Sequence, residues 1–219
     1  MSYVSGDLRD QLAHAGFDAV HGGLVVGSGG NLSAREPGDD ACWVTAAGTW
    51  LDRLDRRSFV RVRISDATVP EPDDPEPTSE LALHLATYRA RPDVNAVIHL
   101  HPQTVLLLDA LGERIRLVST DHAFYLRRVV STPFQLPGSD ELAAEAATAA
   151  ATGANCIVLA HHGCSVLADT VELAHKRARN LEEAARLTYQ ALAAGVLADL
   201  PECPPEFVER VERGERRTA

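Results

Sequence analysis

Two histidines with a spacing suited to metal binding lie near the middle of the chain. His99 and His101 are separated by one residue within the apolar segment 94–103 (VNAVIHLHPQ). Because successive side chains of a β-strand point to opposite faces, this spacing places both imidazoles on the same face. A pair of this kind is also typical of core or solvent-facing histidines, so it indicates a metal site only if further ligands accompany it.

A third imidazole is predicted at the end of a second apolar segment. Residues 157–160 (IVLA) have the composition of a buried strand, and His161, His162 and Gly163 follow directly. Strand ends and their flanking loops carry the sites of α/β proteins, so we expect His162 to point into a cleft and His161 not to be a ligand. The alternative is a turn that contains a hydrogen-bonded core histidine. Three imidazoles with an open or carboxylate position are typical of a catalytic zinc site, because structural zinc is normally enclosed by thiolates.

Glu80 is the carboxylate that could complete this set. It follows Pro77, Thr78 and Ser79 at the start of a predicted helix. An acidic residue in a first helical turn is often only a favourable partner of the helix dipole. The functional alternative is that the helix start and its two hydroxyls form an anion pocket, with Glu80 beside it as fourth metal ligand or catalytic acid/base. Zinc fits best, although imidazoles also bind manganese, cobalt and iron.

The elements that would position these residues alternate between strands and helices along the chain. Predicted strands cover 42–45, 59–64, 94–100, 116–119, 129–132 and 156–160, and a short apolar strand runs into the glycine-rich turn of 23–35. Predicted helices cover 5–21 with Ser5 as cap, a segment from Thr78 or Ser79 to about 91, 139–152, and a segment from an Asp169/Glu172 capping pair towards Ala194. Residues 70–77 are predicted to be a surface loop. This alternation predicts one α/β sandwich.

Length and composition are those of one ordinary globular domain. The chain has 219 residues, with 45% hydrophobic and 24% charged residues, and it shows no internal repeat or linker. We therefore expect a single domain over residues 1–200. The charged segment 201–219 is expected to be a flexible C-terminal tail.

Charge and cysteine usage exclude several classes of protein. The net charge is −10 and no block of Lys or Arg is present, which argues against nucleic-acid binding. No long apolar run or signal-peptide pattern is present, so neither membrane insertion nor export is expected. The glycines of 27–30 lack dinucleotide-binding spacing. The cysteines form no Cys-x-x-Cys pair, which favours a reducing cytoplasm; they are Cys42, Cys156, Cys164 and Cys203.

The residues described so far lie in segments that resemble the class II aldolase/adducin family, and within it the enzymes similar to L-fuculose-phosphate aldolase. The matching segments, in conserved order, are GGNLSAR (29–35), TAAGTWLDRL (45–54), PTSELALHLATYRARPDVNAVIHLHPQ (77–103) and VLAHHG (158–163). The resemblance implies a three-layer α/β/α sandwich with a central mixed, largely antiparallel sheet, and a homotetramer with active sites at subunit interfaces. It also implies zinc on His99, His101 and His162, with Glu80 as ligand and proton carrier.

The family's phosphate cradle maps onto six residues of this chain: Gly30, Asn31, Ala47, Gly48, Thr78 and Ser79. Two departures from the family pattern bear on the substrate. Ala47 stands where the fuculose-phosphate enzymes have a hydroxyl residue, which leaves only its backbone N–H as a donor. Segment 201–219 contains no tyrosine, whereas those enzymes use one from a mobile C-terminus. Tyr125 is the nearest candidate for a proton-donating phenol, and the alternative is that it is a packed aromatic.

These features predict a metal-dependent lyase acting on a small sugar phosphate. The expected reaction is reversible cleavage of a ketose 1-phosphate into dihydroxyacetone phosphate and an aldehyde through an enediolate. Sugar-phosphate 4-epimerase and methylthioribulose-1-phosphate dehydratase activities are the alternatives on the same scaffold. A non-catalytic, adducin-like assembly scaffold is disfavoured, because packing alone does not require Glu80 together with three histidines.

Overall fold

The computed structural model describes residues 4–69 and 73–214. The described residues form helices α1 Leu8–His21, α2 Leu81–Ala90, α3 Gln103–Ala110, α4 Thr120–Leu126, α5 Asp140–Ala151, α6 Val171–Ala193 and α7 Pro205–Glu212. They form strands β1 Gly30–Ala34, β2 Ala41–Thr45, β3 Phe59–Arg63, β4 Ala96–Leu100, β5 Val129–Thr132, β6 Cys156–Leu159 and β7 Gly163–Ala168. Short 3-10 helices occur at Leu51–Arg53, Arg56–Ser58 and Leu197–Asp199.

The strands form one open sheet in the order β3-β2-β1-β4-β7-β6-β5. Every neighbouring pair is antiparallel except the parallel pair β5–β6. One hydrophobic core lies between the sheet and α1, α3 and α6, and a second lies between the opposite face and α2 and α5. The predicted α/β/α sandwich with a mixed, largely antiparallel sheet is confirmed.

Alternation along the central strand β4 decides which helix its histidine faces. Ile98 and Leu100 join the core beneath α1 and α6, whereas Val97 joins the core beneath α2 and α5. Because neighbouring side chains alternate, His99 lies on the α2 face. The register of β1 against β4 places Asn31 directly opposite His99. The polar residues of the two strands therefore meet under the start of α2.

Helix starts differ from the prediction by one or two residues. Asp7, not Ser5, caps α1, and its carboxylate accepts a hydrogen bond from a first-turn amide. Thr170, not Asp169, caps α6 in the same way. Where several cap-forming residues are close together, the sequence does not decide which of them begins the helix, because each side chain can accept a hydrogen bond from an N–H of the first turn.

Two predicted strands are corrected. The segment before Gly30 is a turn, because Gly23 and Gly27 adopt positive φ values of 73° and 59° and end any extended run. The strand is the later part, β1. Residues 116–119 are also not a strand: the Arg116 N–H donates to Thr188 Oγ1 at 2.9 Å, and Ser119 caps α4. Helices α3 and α4 and strand β7 had not been predicted.

The segment beyond residue 200 contains a helix in its described part. Helix α7 follows Pro204, Val211 on it is buried, and the Cys203 N–H donates to the Leu117 carbonyl at 2.8 Å. The segment expected to be a flexible tail therefore includes a helix, and this helix packs against α4. Residues 215–219 lie outside the described residues, as do residues 70–72 of the predicted loop.

The longest helix, α6, runs for 23 residues with a buried face of small and apolar side chains. Its other face is charged, as its sequence of Glu, Lys and Arg residues shows. Within residues 4–69 and 73–214, no helix combines the length and apolar character needed to cross a bilayer.

Candidate active site

Four side chains that are distant along the chain converge at one end of the sheet. One ligand atom from each of Glu80, His99, His101 and His162 lies within 4.8 Å of the others. His99 Nε2 is 3.0 Å from His101 Nε2 and 3.1 Å from Glu80 Oε2. His162 Nε2 is 3.2 Å from Glu80 Oε1. The structure thus brings together all four residues that the sequence analysis proposed as metal ligands.

The sheet and one tight turn position the imidazoles. His99 is fully buried in β4, and His101 follows the last residue of that strand. His162 lies in the turn between β6 and β7, where its N–H donates to the Leu159 carbonyl at 3.0 Å. His161 has a positive φ of 56°, and its N–H donates to Asp109 Oδ2 at 3.0 Å. The turn directs only the second histidine into the cluster.

Two glycines permit the close approach of these strands. A Cβ at Gly163 would lie 2.5 Å from the Leu100 carbonyl oxygen and 2.6 Å from His101 Cδ2. A Cβ at Gly30, whose φ is 137°, would collide with the His99 carbonyl oxygen. Glycine is the residue that leaves room for such backbone contacts. Both positions are therefore part of the geometry that holds the histidines together.

Glu80 stands at the start of α2, but its carboxylate does not cap the helix. It makes no cap hydrogen bond, and it points instead to His99 and His162. Asn31 Nδ2 donates to Glu80 Oε2 at 2.8 Å. Thr78, expected as a possible cap, accepts the Glu80 N–H at 3.3 Å. The side chain is thus oriented by the imidazoles and by β1 rather than by the helix amides.

The electrostatics of the cluster favour an ionised carboxylate at Glu80 and neutral imidazoles at His101 and His162. Burial opposes ionisation of Glu80, but the hydrogen bond and charge of His99, with Asn31 and His162, hold its pKa well below the usual range. Burial, followed by the neighbouring His99 and His162, lowers the pKa of His101 to about 4. Burial also lowers the pKa of His162. Near neutral pH these groups are in the forms that bind cations.

The donor set fits a divalent cation. Glu80 Oε1 is buried and makes no hydrogen bond of acceptable geometry, although His162 Nε2 lies 3.2 Å away. An unsatisfied buried carboxylate oxygen is costly unless a positive group neutralises it. His99 Nδ1 lies 3.5 Å from Ser165 Oγ, at the long limit of a hydrogen bond that would leave Nε2 free to bind a metal. Three imidazoles and one carboxylate are a ligand set known for zinc and other divalent ions.

A cavity of 220 Å³ adjoins this cluster and reaches Glu80 and His101. All six residues predicted as the phosphate cradle line it: Gly30, Asn31, Ala47, Gly48, Thr78 and Ser79. Its other lining residues are Ser28, Thr45, Ala46 and Thr49, so no Lys or Arg of the described residues contributes to the wall. An anion in this cavity would depend on hydroxyls, amides and the neighbouring cation for its stabilisation.

The expectation that Ala47 offers its backbone N–H to a phosphate is corrected. That N–H donates to the Glu76 carbonyl at 2.9 Å. The reason is an isolated antiparallel β-bridge between Ala46 and Pro77, which brings the Ala47 N–H into hydrogen-bond contact with the neighbouring segment. The hydroxyl of Thr49 lines the cavity, but it donates to the Ala46 carbonyl at 2.9 Å. This wall of the cradle is therefore poorer in donors than the sequence suggested.

Tyr125 is not brought into the cluster of its own chain. It lies on α4, which packs against α6, whereas His99 faces α2 on the other side of the sheet. The Tyr125 carbonyl accepts a hydrogen bond from Arg177 Nε at 3.0 Å, and Arg177 Nη1 donates to the Leu167 carbonyl at 2.5 Å. The phenol could therefore serve a site only through another copy of the chain.

The sequence analysis missed a group of buried polar side chains behind Glu80. Ser33, His84 and Tyr88 are buried there and hydrogen-bonded to one another. The available signal was the spacing of four residues from Glu80 to His84 and again to Tyr88, which puts all three on one helix face.

Comparison with known proteins agrees with this geometry. The family model described as "Class II Aldolase and Adducin N-terminal domain" matches residues 10–189. The L-fuculose phosphate aldolase of Methanocaldococcus jannaschii is 32% identical over 75% of this chain and 86% of that protein. The 3-oxo-tetronate 4-phosphate decarboxylase of Haemophilus influenzae is 30% identical over 83% of this chain and 86% of that protein.

Solved structures show the same similarity over the whole fold. An L-fuculose 1-phosphate aldolase structure has a TM-score of 0.83 and 26% identity, with 97% of each chain covered. The family match covers most of the chain, including the elements that carry Glu80 and the three histidines. The chain belongs to the class II aldolase and adducin N-terminal domain family.

Proposed function

We propose that this chain is a divalent-metal-dependent aldolase that reversibly cleaves a ketose 1-phosphate into dihydroxyacetone phosphate and an aldehyde. The observation that carries the proposal is the convergence of Glu80 with His99, His101 and His162 beside the 220 Å³ cavity. Relatives named L-fuculose phosphate aldolase and 5-deoxy-D-ribulose 1-phosphate aldolase support this reaction class.

Glu80, His99, His101 and His162 would hold the cation, and zinc is our proposal for its identity. When bound, a divalent cation supplies Lewis-acid stabilisation of negative charge on the substrate's carbonyl oxygen. The protein orients its ligands through the sheet and through Asn31, which fixes one oxygen of Glu80 at 2.8 Å. The substrate's phosphate would lie among the hydroxyl and amide groups of the cavity wall.

Glu80 is proposed to move the proton. In cleavage, the C3–C4 bond breaks, its electrons remain on the C3 fragment as an enediolate, and the C4 hydroxyl loses its proton as the aldehyde forms. Glu80 takes up a proton from solvent and delivers it to C3, which gives dihydroxyacetone phosphate and returns Glu80 to its ionised form. The base that removed the C4 proton releases it to solvent, so the reaction has no net proton change. A carboxylate whose ionised form is stabilised by neighbouring groups suits removal of the same proton in synthesis.

The base at the C4 hydroxyl would come from another subunit. We propose a homotetramer in which Tyr125 of one copy completes the site of its neighbour. The position of Tyr125 on the far side of its own sheet favours this arrangement over a role within one chain.

Decarboxylation is a second candidate function, favoured by the Haemophilus influenzae relative. A 3-oxo acid that carries a terminal phosphate loses CO2 with the same flow of electrons into the ketone. The four-carbon substrate then leaves the enediolate of dihydroxyacetone phosphate, which Glu80 would protonate as in the aldolase reaction. The same residues thus serve both reactions, and only the leaving fragment differs.

Epimerisation, dehydration and a purely structural adducin-like role remain alternatives. Epimerisation and dehydration release no carbon fragment, and an assembly scaffold has no turnover. The structural role gives no reason for a buried carboxylate oxygen without a hydrogen bond, which is found at Glu80.

One experiment separates these functions. Purified metal-loaded protein is incubated with a panel of ketose 1-phosphates and with 3-oxo-tetronate 4-phosphate, and dihydroxyacetone phosphate, aldehyde and CO2 are measured separately. Aldehyde together with dihydroxyacetone phosphate supports the aldolase, and CO2 with dihydroxyacetone phosphate supports the decarboxylase. Chelator-sensitive turnover without either fragment would contradict both.

A further inference from the structure

Behind Glu80, buried polar side chains form a row between β1 and α2. Asn31 and Ser33 are two residues apart on β1, so both face α2. His84 and Tyr88 follow Glu80 on successive turns of that helix. All five residues are buried. Polar groups at such depth are normally hydrogen-bonded to one another or to the backbone.

Each member of the row is bonded to the next. Asn31 Nδ2 lies 2.8 Å from Glu80 Oε2, and Asn31 Oδ1 lies 2.5 Å from His84 Nε2. His84 Nδ1 lies 2.7 Å from Ser33 Oγ, which lies 2.7 Å from Tyr88 OH. The row is thus a continuous hydrogen-bonded chain that begins at the carboxylate and ends in the core.

The chemistry of the groups determines where the protons are. An ionised carboxylate only accepts, so Asn31 must present its NH2 group to Glu80 and its oxygen to His84. His84 must then carry its proton on Nε2 and accept from Ser33 on Nδ1. The Ser33 hydroxyl, in turn, accepts from Tyr88. Every donor in the row therefore points towards Glu80, an arrangement in which each bond polarises the next.

The other tautomer of His84 would disturb the carboxylate. With the proton on Nδ1, the lone pair of Nε2 would face the Asn31 oxygen, and two acceptors would oppose each other. The amide could relieve this only by turning over, which would place its oxygen against Glu80 Oε2. In the first case the Asn31 amide would be held against a repulsive contact, and in the second Glu80 would lose the donor that now fixes one of its two oxygens.

We propose that His84 is a positioning residue that, as a neutral Nε2-protonated imidazole, sets the orientation of the Asn31 amide. Asn31 then holds Glu80 Oε2 and leaves Oε1, which makes no hydrogen bond, as the oxygen that faces the cation and the migrating proton. The proposal rests on the proposed function of Glu80 as proton carrier. It adds a residue that touches neither cation nor substrate.

The tautomer can be measured without any turnover. Nitrogen-15 NMR of the full-length, metal-loaded protein near neutral pH should show the His84 proton on Nε2 and a non-protonated Nδ1, with the signal assigned by its loss in His84→Gln. A proton on Nδ1, or a doubly protonated ring, would overturn the proposal.

Substitution tests the effect on proton transfer. The readout is exchange of the C3 proton of dihydroxyacetone phosphate with solvent deuterium. In His84→Asn the amide is too short to reach Asn31, and kcat should fall roughly 10- to 100-fold while KM stays within about threefold. In His84→Gln the amide nitrogen reaches the position of Nε2, so most of the rate should return.

A matched control comes from the same helix. Thr87 is fully buried, and its hydroxyl bonds only the Leu83 carbonyl within the described chain. Thr87→Val should alter stability but not the rate of folded protein. Equal rates in His84→Asn and His84→Gln would show that the residue acts only through packing and would overturn the proposal. Absence of exchange in the wild type would instead count against the proposed function, and the NMR result would still decide the role of His84.

Discussion

His162 Nε2 and Glu80 Oε1 lie 3.2 Å apart, although they come from a turn between two strands and from the start of a helix. The contact joins the two halves of the site, because His99 and His101 lie at the end of β4 and directly after it, whereas His162 comes from the turn between β6 and β7. The contact is not a hydrogen bond, and both residues belong to the group of four whose ligand atoms lie within 4.8 Å of one another and could hold an ion. Removal of His162 is therefore the cleanest way to weaken cation binding without disturbing β4.

His162→Ala should reduce bound metal from about one ion per chain to a small fraction, because three ligands hold a cation less tightly than four. The number of metal ions per chain is measured by elemental analysis after gel filtration in a buffer that contains a weak chelator. His161→Ala is the matched control, since His161 points away from the cluster and should leave the metal content unchanged. Equal metal content in both variants would contradict the assignment.

Ala47→Thr should strengthen binding of phosphorylated substrates. The new hydroxyl would restore a donor on the cavity wall where the Ala47 N–H is already bonded to Glu76. One added hydrogen bond to a charged group is worth about 1.5–3 kcal/mol, which corresponds to a KM lower by about 10- to 150-fold. The KM of a substrate analogue without phosphate should not change. A decrease of the same size for both compounds would mean that the cavity does not hold the phosphate.

Gly163→Ala should destabilise the fold and loosen the histidine cluster. The added Cβ would lie 2.5 Å from the Leu100 carbonyl oxygen and 2.6 Å from His101 Cδ2. Overpacking of this kind lowers the free energy of unfolding by about 1–3 kcal/mol. Gly29→Ala is the comparison, because neither Gly163 nor Gly29 has a positive φ, and the atom nearest to the Cβ added at Gly29, the Val26 carbonyl oxygen, is 3.3 Å away. Similar chemical-denaturation curves for the two variants would contradict the expected clash.

Stability should depend on pH through His84. Burial, with a smaller contribution from His99, lowers its pKa from 6.5 to about 3. The unfolded chain therefore binds a proton that the folded chain excludes, so this contribution is absent above 6.5 and destabilises the fold as the pH falls below it. The free energy of unfolding should decrease by about 1.4 kcal/mol per pH unit from this residue alone, levelling off near the lowered pKa.

His84→Gln supplies the comparison for that slope. The free energy of unfolding is measured by chemical denaturation at several pH values between about 6.5 and 4. It should decrease less steeply with falling pH in the variant than in the wild type, because one titrating group has been removed. His161→Gln, a change at an exposed histidine, should keep the wild-type slope. Parallel curves for wild type and His84→Gln would show that His84 does not remain neutral in the fold.

The fold and the cation ligands could be predicted because both depend on local pattern. Short apolar segments correctly indicated β2, β5 and β6, the alternation of Val and Arg indicated β3, and the segment 139–152 indicated α5. The prediction that His99 and His101 share a face followed from alternation, although His101 lies one residue beyond β4. Convergence of Glu80 and His162 on that pair was suggested by the family resemblance and is seen in the geometry.

The remaining features depend on tertiary contacts that no local pattern shows. Strand β7 is buried on both faces and so lacks alternation. The engaged N–H of Ala47 depends on pairing with the segment around Pro77, and the location of Tyr125 depends on how α4 packs on α6. The hydrogen bonds of His84 depend on how α2 packs on β1, which supplies Ser33 and Asn31 as its partners.

The central claim is that Glu80 carries a proton beside the bound cation, and Glu80→Gln tests it most directly. Deuterium exchange into dihydroxyacetone phosphate is followed by NMR with metal-loaded wild type and variant, and metal content is measured in the same samples. We expect exchange to fall at least about 100-fold while the glutamine oxygen and three histidines keep the metal bound. Wild-type exchange in a metal-loaded Glu80→Gln protein would contradict the account.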